Sequence, residues 1–409
     1  MFQFTIIFII LFMEETDMII KIDELIRLDE FKNIRIISGS KGLWRQVDSI
    51  GWLDYEFVKS QSNRQYYSKF NKGQLVMTSF LYAKDNAFLA RDAIRHLIDR
   101  DVSGLIVNNV FRIDIPETVL RYADAKEFPI FVTEDPSADL CSLTIKLHDY
   151  IKDIERAEFG DKEIGALLNT PIPREEVKTS AMRMNPSFLP QITAIYCHKE
   201  SFLSDEEYVK QVTKYQKSEI YDRHNSLYRY QNGFMYIISS EDLESGFGNN
   251  YINQAIDSIV GDPSEYSIGI GEKHYDIREL DHAMQEAIYA SIINRKKEDI
   301  FTAYHDLGSY QAILPLAEDP AMVSYAERLL EPVIEYDASY NTMLLNTLLD
   351  YVLLEGDLHR LATDMNQHEN TLRYRFNQIG KITGLNPIRS GDYEKLALAA
   401  KILICKNNM

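Results

Sequence analysis

A basic stretch lies near the end of a strongly acidic chain. The chain carries 62 Asp and Glu against 44 Lys and Arg, which gives a net charge of −18. Between Asn370 and Gly391, in the sequence HENTLRYRFNQIGKITGLNPIRSG, no acidic residue occurs. The same stretch contains four cations, Arg373, Arg375, Lys381 and Arg389. Cationic side chains kept apart from carboxylates are suited to phosphate groups, and an acidic protein can offer such contacts only locally.

The residues ahead of the basic stretch fit the first helix and the turn of a helix-turn-helix. Leu361, Ala362 and Met365 give that helix an inward face, and Ala362 is small enough for a close helix crossing. Asn366 falls at the turn, where a positive φ is needed and asparagine tolerates it. We predict that the unit covers residues 357–383.

The second helix of this unit has an apolar and a polar face. Leu372, Phe376 and Ile379 follow the i, i+4, i+7 spacing of a buried stripe. The opposite face carries Asn370, Tyr374, Asn377 and Lys381, with Arg373 on its flank. A polar, aromatic and cationic helix face suits the major groove of DNA.

Two alternatives stay open for this segment. The first is a solvated helix on a helical domain, because four cations in a stretch of this length are not rare. The second concerns Arg375, which projects near the buried face and is either part of a structural ion pair or a phosphate contact.

Length and composition predict an ordinary globular protein with several domains. At about 100 to 200 residues per domain, 409 residues correspond to two to four domains. Three cysteines far apart in sequence, Cys141, Cys197 and Cys405, indicate a reduced, cytoplasmic protein without a metal site.

The first 17 residues are apolar but shorter than the roughly 20 residues of a spanning helix. We interpret them as an extension ahead of a start at Met18, without stable membrane association. A weak membrane anchor is the alternative.

Residues 18–139 alternate between strand and helix patterns. Short β-branched and apolar runs predict strands, namely Lys32–Gly39, Val47–Leu53, Gln74–Ser79, Ser103–Asn109 and Phe128–Glu134. Helical patterns lie between the last three, and Pro116 suits the first turn of the second helix. The alternation predicts an α/β domain with a parallel sheet.

A helix over residues 140–168 links this domain to the rest of the chain. Its apolar residues follow a 3, 4, 3, 4, 3 spacing, and they are Leu140, Leu143, Leu147, Tyr150, Ile154 and Ala157. Such a seam belongs either to a dimeric coiled coil or to a helix that packs on its own domain.

Strand patterns return in residues 169–304, with a hairpin predicted around Asn232–Gly233. They predict an α+β middle domain. Residues 305–409 are nearly all helical in pattern and predict an all-α domain that contains the helix-turn-helix.

The segment HENTLRYRFNQIGKITGL closely resembles the C-terminal helix-turn-helix of PucR-type regulators, which typically reads H-R-N-T-L-R-Y-R with T-G-L soon after. RIISGSKGLWRQVDSIGWLD and KGQLVMTS are similar to the N-terminal domain of that family, and the middle domain is similar to its GGDEF-like domain. Glu369 stands where the family usually has Arg, and Asp54 stands where it often has Glu.

The resemblance implies a regulator of catabolic genes, often those for purines or nitrogen compounds. Double-stranded operator DNA is the expected partner of the helix face, and we expect a homodimer or higher oligomer because one helix-turn-helix contacts only a few base pairs. The candidate DNA contacts are His368, Glu369, Asn370, Thr371, Arg373, Tyr374, Arg375, Asn377 and Lys381. A glutamate at position 369 can accept a hydrogen bond from cytosine N4 in place of the usual arginine contact.

A small-molecule effector is expected at the N-terminal domain. Ligands of parallel sheets bind beyond the carboxyl ends of the strands. The candidates there are Asp54, Thr78, Ser79, Asn108, Asn109, Thr133 and Glu134. None is basic, which favours a neutral polar ligand, and the resemblance suggests a purine or ureide. The alternative is that these polar residues only cap their strands.

The rival class is a nucleotide-signalling enzyme or a nucleotide-binding protein that uses the GGDEF-like domain. A diguanylate cyclase needs carboxylates on its hairpin to hold Mg²⁺. The hairpin YRYQNGFMYII offers Asn232, Gly233, Phe234 and Met235 at that place, without an acid. We therefore predict no catalytic residue, no metal and no cofactor.

Overall fold

The computed structural model describes residues 20–54, 69–135, 138–242, 249–295 and 300–408. The predicted extension over residues 1–17 lies outside them. The chain divides into two compact units, residues 1–159 and 160–409. None of the helices in the described ranges combines the length and the apolar character that a membrane crossing requires.

The first unit is a mixed α/β fold around one five-stranded sheet. Its strands are β1 (Arg35–Ser38), β2 (Ser49–Trp52), β3 (Gln74–Thr78), β4 (Gly104–Asn108) and β5 (Ile130–Thr133). Its helices are α1 (Ile22–Leu25), α2 (Ala87–Asp99) and α3 (Glu117–Ala125), and α4 (Leu140–Asn169) runs on into the second unit. Every predicted strand of this region is present; β3, β4 and β5 are almost fully buried, whereas β1 is largely exposed.

The order of this sheet is β1-β5-β4-β3-β2, with β2 to β5 parallel and β1 antiparallel to β5. The prediction of a parallel sheet is therefore wrong for β1. Parallel neighbours need a long crossover, and helices α2 and α3 provide it between β3, β4 and β5. The carboxyl ends of β4 and β5 lie side by side, with Asn108 paired to Thr133.

The apolar seam of α4 is buried within this chain. Leu147 and Ala157 are fully buried, and Ile154 is 1% exposed. Two contacts hold the first half of the helix to its own unit, because Trp52 Nε1 donates to Thr144 Oγ1 over 3.1 Å and Lys146 Nζ lies 2.6 Å from Glu30 Oε1. Of the two interpretations, the structure favours a helix packed on its own chain.

The second unit begins with a five-stranded sheet of order β10-β9-β6-β8-β7. Its strands are β6 (Gln191–Lys199), β7 (Ser226–Tyr230), β8 (Gly233–Ser240), β9 (Tyr266–Ile270) and β10 (Thr302–Ala303). Its helices are α5 (Arg174–Met184), α6 (Asp205–Gln216), α7 (Asn249–Ile259) and α8 (Leu280–Asn294). Strand β6 is central and pairs antiparallel with both β8 and β9.

The hairpin of this sheet lies one residue earlier than the sequence predicts. Its loop is Gln231–Asn232, and Gly233 already belongs to β8. Gln231 takes the positive φ of 48°. Tertiary contacts decide this register, since Asp161 Oδ1 accepts the Gln231 N–H over 2.6 Å.

Helices complete the second unit. They are α9 (Tyr310–Ile313), α10 (Pro320–Tyr340), α11 (Leu344–Leu353), α12 (Leu358–Asp364), α13 (Glu369–Thr383) and α14 (Ser390–Asn408). The hydrophobic core of these helices includes the C-terminal half of α8, with Tyr289 and Ile293. Leu280 and Met284 of the same helix pack instead into the core of the sheet. Helix α8 is therefore shared by the two cores.

Candidate nucleic-acid interface

Helices α12 and α13 form the predicted helix-turn-helix, and polar caps fix where each begins. Asp357 Oδ1 accepts the backbone N–H of His359 over 2.9 Å and that of Arg360 over 3.0 Å. The Arg360 N–H is the main cause that lowers the pKa of Asp357. At the start of α13, His368 Nδ1 accepts the Asn370 N–H over 3.1 Å, so its ring nitrogen is unprotonated there.

The turn and the end of the second helix both use left-handed backbone. Asn366 has φ 51°, which confirms the prediction made for the turn. Gly384 ends α13 at φ 76° and donates its N–H to Gly380 O over 3.0 Å. These two positions set the length and the entry angle of α13.

The apolar stripe of α13 is buried as its spacing predicts. Leu372, Phe376 and Ile379 are each 0% exposed, as is Leu361 of α12. The ring of Phe376 lies 4.7 Å from that of Tyr351. Burial of this stripe fixes which face of α13 is left to solvent.

That solvent face carries most of the predicted DNA contacts. The exposed side chains are His368, Asn370, Thr371, Arg373, Tyr374, Asn377 and Lys381, whereas Glu369 and Arg375 are half-buried. The phenol ring of Tyr374 is 62% exposed, which is unusual for an aromatic residue without a binding partner. The face therefore offers amide, hydroxyl, phenol and cationic groups together.

Glu369 is held by its neighbours on the two helices. Its carboxylate lies 3.5 Å from Arg373 Nη2 and 3.5 Å from His359 Nδ1. A carboxylate in the first turn also interacts favourably with the helix dipole. Glu369 thus orients Arg373 and partly offsets its positive charge. The sequence did not suggest this role.

Arg375 points away from the solvent face. Its Nη1 donates to Thr347 Oγ1 of α11 over 2.8 Å, and Thr347 is fully buried. No ion pair of Arg375 is found in the described part of the chain. Of the two interpretations left open, the ion pair is not found among the described residues, and the phosphate contact stays a prediction; the arginine joins α13 to α11.

A polar groove continues the solvent face beyond Lys381, and sequence reasoning missed it. We call it the α13–α14 groove. It has a volume of about 420 Å³ and lies between the second half of α13 and the start of α14. Its lining includes Tyr374, Asn377, Gln378, Lys381, Asn386, Arg389 and Asp392. The basic stretch already contains Arg389, but no periodicity links this residue to a helix face.

The predicted effector residues lie at the carboxyl edge of the first sheet, where three of them bond to one another. Asp54 Oδ1 accepts the Thr78 hydroxyl over 3.0 Å, and its Oδ2 accepts the Ser79 hydroxyl over 2.8 Å and the Ser79 N–H over 2.5 Å. Thr78 Oγ1 also accepts the Phe80 N–H over 2.9 Å, so the polar groups of this cluster are bonded within the protein.

The other residues of this edge differ in how many of their hydrogen-bonding groups have a partner. Asn109 bonds to Ile113 through both ends of its amide, and Glu134 pairs with Arg35 over 3.0 Å. Thr133 Oγ1 accepts the N–H of Asp135 over 3.2 Å.

Asn108 is 9% exposed, and its Oδ1 has no hydrogen-bond partner among the described residues. Its Nδ2 donates only over 3.4 Å, to Ala138 O. A buried acceptor without a donor costs about 1–3 kcal/mol. Asn108 is therefore the point on this edge where a donor from a ligand would stabilise the fold.

Comparisons with known proteins match both ends of the chain. Residues 24–151 match the Purine catabolism regulatory protein-like family, and residues 344–402 match the PucR C-terminal helix-turn-helix domain. The second match begins with α11 and ends within α14.

One curated relative and one solved structure are similar to parts of this chain. The proline-responsive transcriptional activator PutR of Bacillus subtilis (strain 168) is 29% identical over 127 residues, which are 30% of this chain and 31% of the relative. The chain thus matches about a third of that relative's length.

The crystal structure of a regulator of polyketide synthase expression from Bifidobacterium adolescentis aligns over 58% of this chain and 96% of its own, at 14% identity. Its TM-score of 0.27 is too low to establish a shared fold. The N-terminal part of the chain is thus similar to the PucR N-terminal family, and its C-terminal part is similar to the PucR helix-turn-helix of transcriptional regulators.

Proposed function

We propose that this protein binds operator DNA through the solvent face of α13 and so controls catabolic genes in response to a small molecule at its N-terminal domain. The observation that carries the DNA proposal is the solvent face of α13, whose one carboxylate, Glu369, is paired with Arg373, in a chain of net charge −18. The net charge of the chain disfavours DNA binding, so a surface with exposed cations and amides indicates the point of approach. A DNA partner also implies a cytoplasmic location.

Replacement of Arg373 tests this proposal. Arg373→Ala should weaken duplex binding and reduce the slope of log affinity against log salt by about one unit, because one phosphate contact is lost. Arg121 gives a matched control, since it is also exposed and also pairs with a glutamate one turn earlier, Glu117, over 2.7 Å. Arg121→Ala should leave both the affinity and the slope unchanged.

Filter binding over a series of salt concentrations gives both quantities. Equal behaviour of Arg373→Ala and Arg121→Ala would contradict the assignment of this face. Circular dichroism melts of both variants show whether the fold is intact.

The effector proposal rests on Asn108. Because its free Oδ1 is an acceptor, the effector should bring an N–H or O–H donor, as purines, ureides and amino acids all do. The family resemblance favours a purine or ureide. The relative whose name says that it responds to proline suggests an amino acid instead. Because that relative matches only 30% of this chain, the proposal includes both classes of effector.

A thermal-shift screen of purines, ureides and amino acids separates these classes. The true effector should raise the melting temperature of the wild type and have a smaller effect on Asn108→Ala. Asn109→Ala is the control, because both ends of that amide are already bonded within the protein. Equal shifts in all three proteins would remove Asn108 from the site.

We also propose that the middle sheet is a GGDEF-like domain without cyclase activity. The amide of Asn232 is fully used, since Oδ1 accepts the Leu203 N–H over 2.8 Å and Nδ2 donates to Lys199 O and Ser201 O. Of the described carboxylates that contact this hairpin, Asp161 accepts the Gln231 N–H, and Asp205 pairs with Arg229. These contacts stabilise the loop and supply no anionic pair for Mg²⁺. Product formation from GTP in a metal-dependent assay would contradict this proposal.

A homodimer is the proposed DNA-binding form. One helix-turn-helix contacts few base pairs, and two modules on paired half-sites multiply the discrimination. The α4 seam is unsuited to the interface because its own chain buries it, so Leu147→Asp and Ile154→Asp should unfold the first unit rather than separate protomers. Light scattering of the full chain, with and without duplex, tests the dimer. A monomer under both conditions would contradict it.

A further inference from the structure

The α13–α14 groove contains two cations that have no carboxylate partner. Lys381 and Arg389 are both exposed, and neither forms an ion pair within the described ranges. Arg373, by contrast, shares its charge with Glu369 over 3.5 Å. Two cations against one carboxylate, Asp392, among its lining residues give the groove a net positive charge.

The one carboxylate of the groove is occupied by the loop. Asp392 Oδ2 accepts the backbone N–H of Asn386 over 3.1 Å, and Asp392 is half-buried. Asp392 therefore holds the loop after Gly384 in place, and its single negative charge leaves a groove with two cations, Lys381 and Arg389, net positive. The loop in turn sets the position of Arg389, whose N–H donates to Asn386 O over 3.0 Å.

The neutral groups of the groove are mainly hydrogen-bond donors. Asn377 Oδ1 accepts from Asn386 Nδ2 over 3.4 Å, which leaves the Asn377 amide nitrogen as a donor. Tyr374 accepts from Gln378 Nε2 over 2.9 Å, which leaves its hydroxyl hydrogen to donate. Two cations with two neutral donors fit a ligand that is anionic and accepts several hydrogen bonds, as a phosphodiester does.

The length of α13 places the Lys381 end of this groove beyond the residues that can reach base edges. Lys381 follows Asn370 by eleven residues, which is about 16 Å along a helix axis. The major groove of B-DNA is about 12 Å wide, and recognition helices contact bases with their N-terminal residues. If Asn370 and Thr371 reach base edges, Lys381 lies beyond the rim, over the sugar–phosphate backbone.

We infer that the α13–α14 groove holds the sugar–phosphate backbone of one DNA strand, with Lys381 and Arg389 as phosphate contacts. The inference rests on the proposed function and assigns different roles to two parts of the DNA-binding surface. The first turns of α13 specify the sequence, and the groove supplies affinity without sequence preference. Arg389 thereby becomes a DNA contact that lies outside the helix-turn-helix itself.

The test uses the double variant Lys381→Gln, Arg389→Gln in the full chain, with two probes. One is a duplex enriched from a random library by the wild-type protein, and the other is a random-sequence duplex. The variant should bind both more weakly by the same factor, and its salt slope should fall by about two units, at about 0.9 per lost phosphate contact. Asn370→Ala should instead reduce the preference for the enriched duplex.

A matched control removes the same charge elsewhere. Arg27→Gln, Lys32→Gln changes two exposed cations of the first unit that pair with Asp23 and Asp29. It should retain the wild-type slope, which separates groove contacts from the change in net charge. Melting curves of both double variants check that each is folded.

The outcomes separate this inference from the proposal on which it rests. A wild type that enriches no duplex contradicts the proposed function. A wild type that binds, with a double variant of unchanged slope, overturns the groove alone. Inorganic phosphate at constant ionic strength should not displace duplex from the wild type. Displacement by submillimolar phosphate would identify a site for a free anion and overturn the inference.

Discussion

The solvent face of α13 and the carboxyl edge of the first sheet are both polar, but they are built in opposite ways. On α13 the side chains project outward, and their contacts are mostly with neighbours on the same helix or the loop that follows it. At the sheet edge, Asp54 takes three hydrogen bonds from Thr78 and Ser79. The first surface is open, whereas most polar groups of the second already have partners, with Asn108 Oδ1 as an exception.

This difference bears on how each surface can bind a partner. An open face with uncompensated charge attracts a large polyanion at little cost, because few internal bonds have to break. A ligand at the sheet edge has to replace existing hydrogen bonds or supply the donor that Asn108 lacks. We therefore expect strong salt dependence for the first surface and narrow selectivity for the second.

The largest effect is expected from the buried side of α13. Phe376→Ala should cost about 3–5 kcal/mol of unfolding free energy, because it leaves a cavity beside Tyr351. Tyr374→Ala, on the open side of the same helix, should change the stability by less than about 0.5 kcal/mol. Urea unfolding of both variants measures this contrast. Similar losses would show that the face around Tyr374 is not open.

The next effect concerns the closed cluster at the sheet edge. Asp54→Ala leaves the Thr78 hydroxyl and two donors of Ser79 without their acceptor and should cost about 1–3 kcal/mol. Glu134→Ala removes an exposed ion pair at the same edge and should cost less than about 1 kcal/mol. Chemical denaturation followed by fluorescence distinguishes them. If both are neutral, the cluster is not a stabilising unit.

A smaller effect divides the two arginines of α13. Arg375→Met should lower the stability by about 1 kcal/mol through the lost bond to Thr347, with no change in the salt slope of DNA binding. Arg373→Met should reduce the salt slope of DNA binding and leave the stability unchanged. A reduced slope for Arg375→Met would mean that this guanidinium leaves Thr347 to contact phosphate.

The smallest expected effect is a pH dependence at His274 in the middle sheet. Burial disfavours the charged ring, but Glu286 at 3.0 Å and Glu279 at 3.3 Å outweigh it, and the pKa of His274 is raised above 6.5. The stabilisation is fully present below about pH 6.5 and is lost as the pH rises through the raised pKa.

His274→Gln should therefore flatten the fall in melting temperature between about pH 6 and about pH 9. The ring of His282 lies 6.2 Å away, so His282→Gln is the control for a second titrating group. An unchanged pH profile in His274→Gln would assign the dependence elsewhere.

Local patterns were enough to predict the strands of the first sheet, the stripe of Leu372, Phe376 and Ile379, and the positive φ of Asn366. Each depends on residues close in sequence. Features that depend on distant partners were not predictable in the same way. The antiparallel course of β1 depends on β5, and the hairpin register depends on Asp161.

In the candidate site, too, local features were predictable from the sequence and features that depend on distant partners were not. Periodicity identified which residues of α13 face solvent, because a helix fixes that geometry locally. It left the position of Arg375 open between two alternatives, neither of which is Thr347, since that partner is 28 residues away. It also gave no position to Arg389, which a loop held by Asp392 brings beside Lys381.

Because helix α8 is shared by two cores, it limits where this protein can be truncated. A fragment that starts at residue 305, the predicted beginning of the helical domain, would lose Tyr289, Ala290, Ile292 and Ile293 from its core. The apolar surface left behind would favour aggregation. A fragment that begins ahead of Leu280 would keep those residues but carry the uncovered side of α8 that normally packs on the sheet. The shortest piece with no such exposed surface includes the middle sheet.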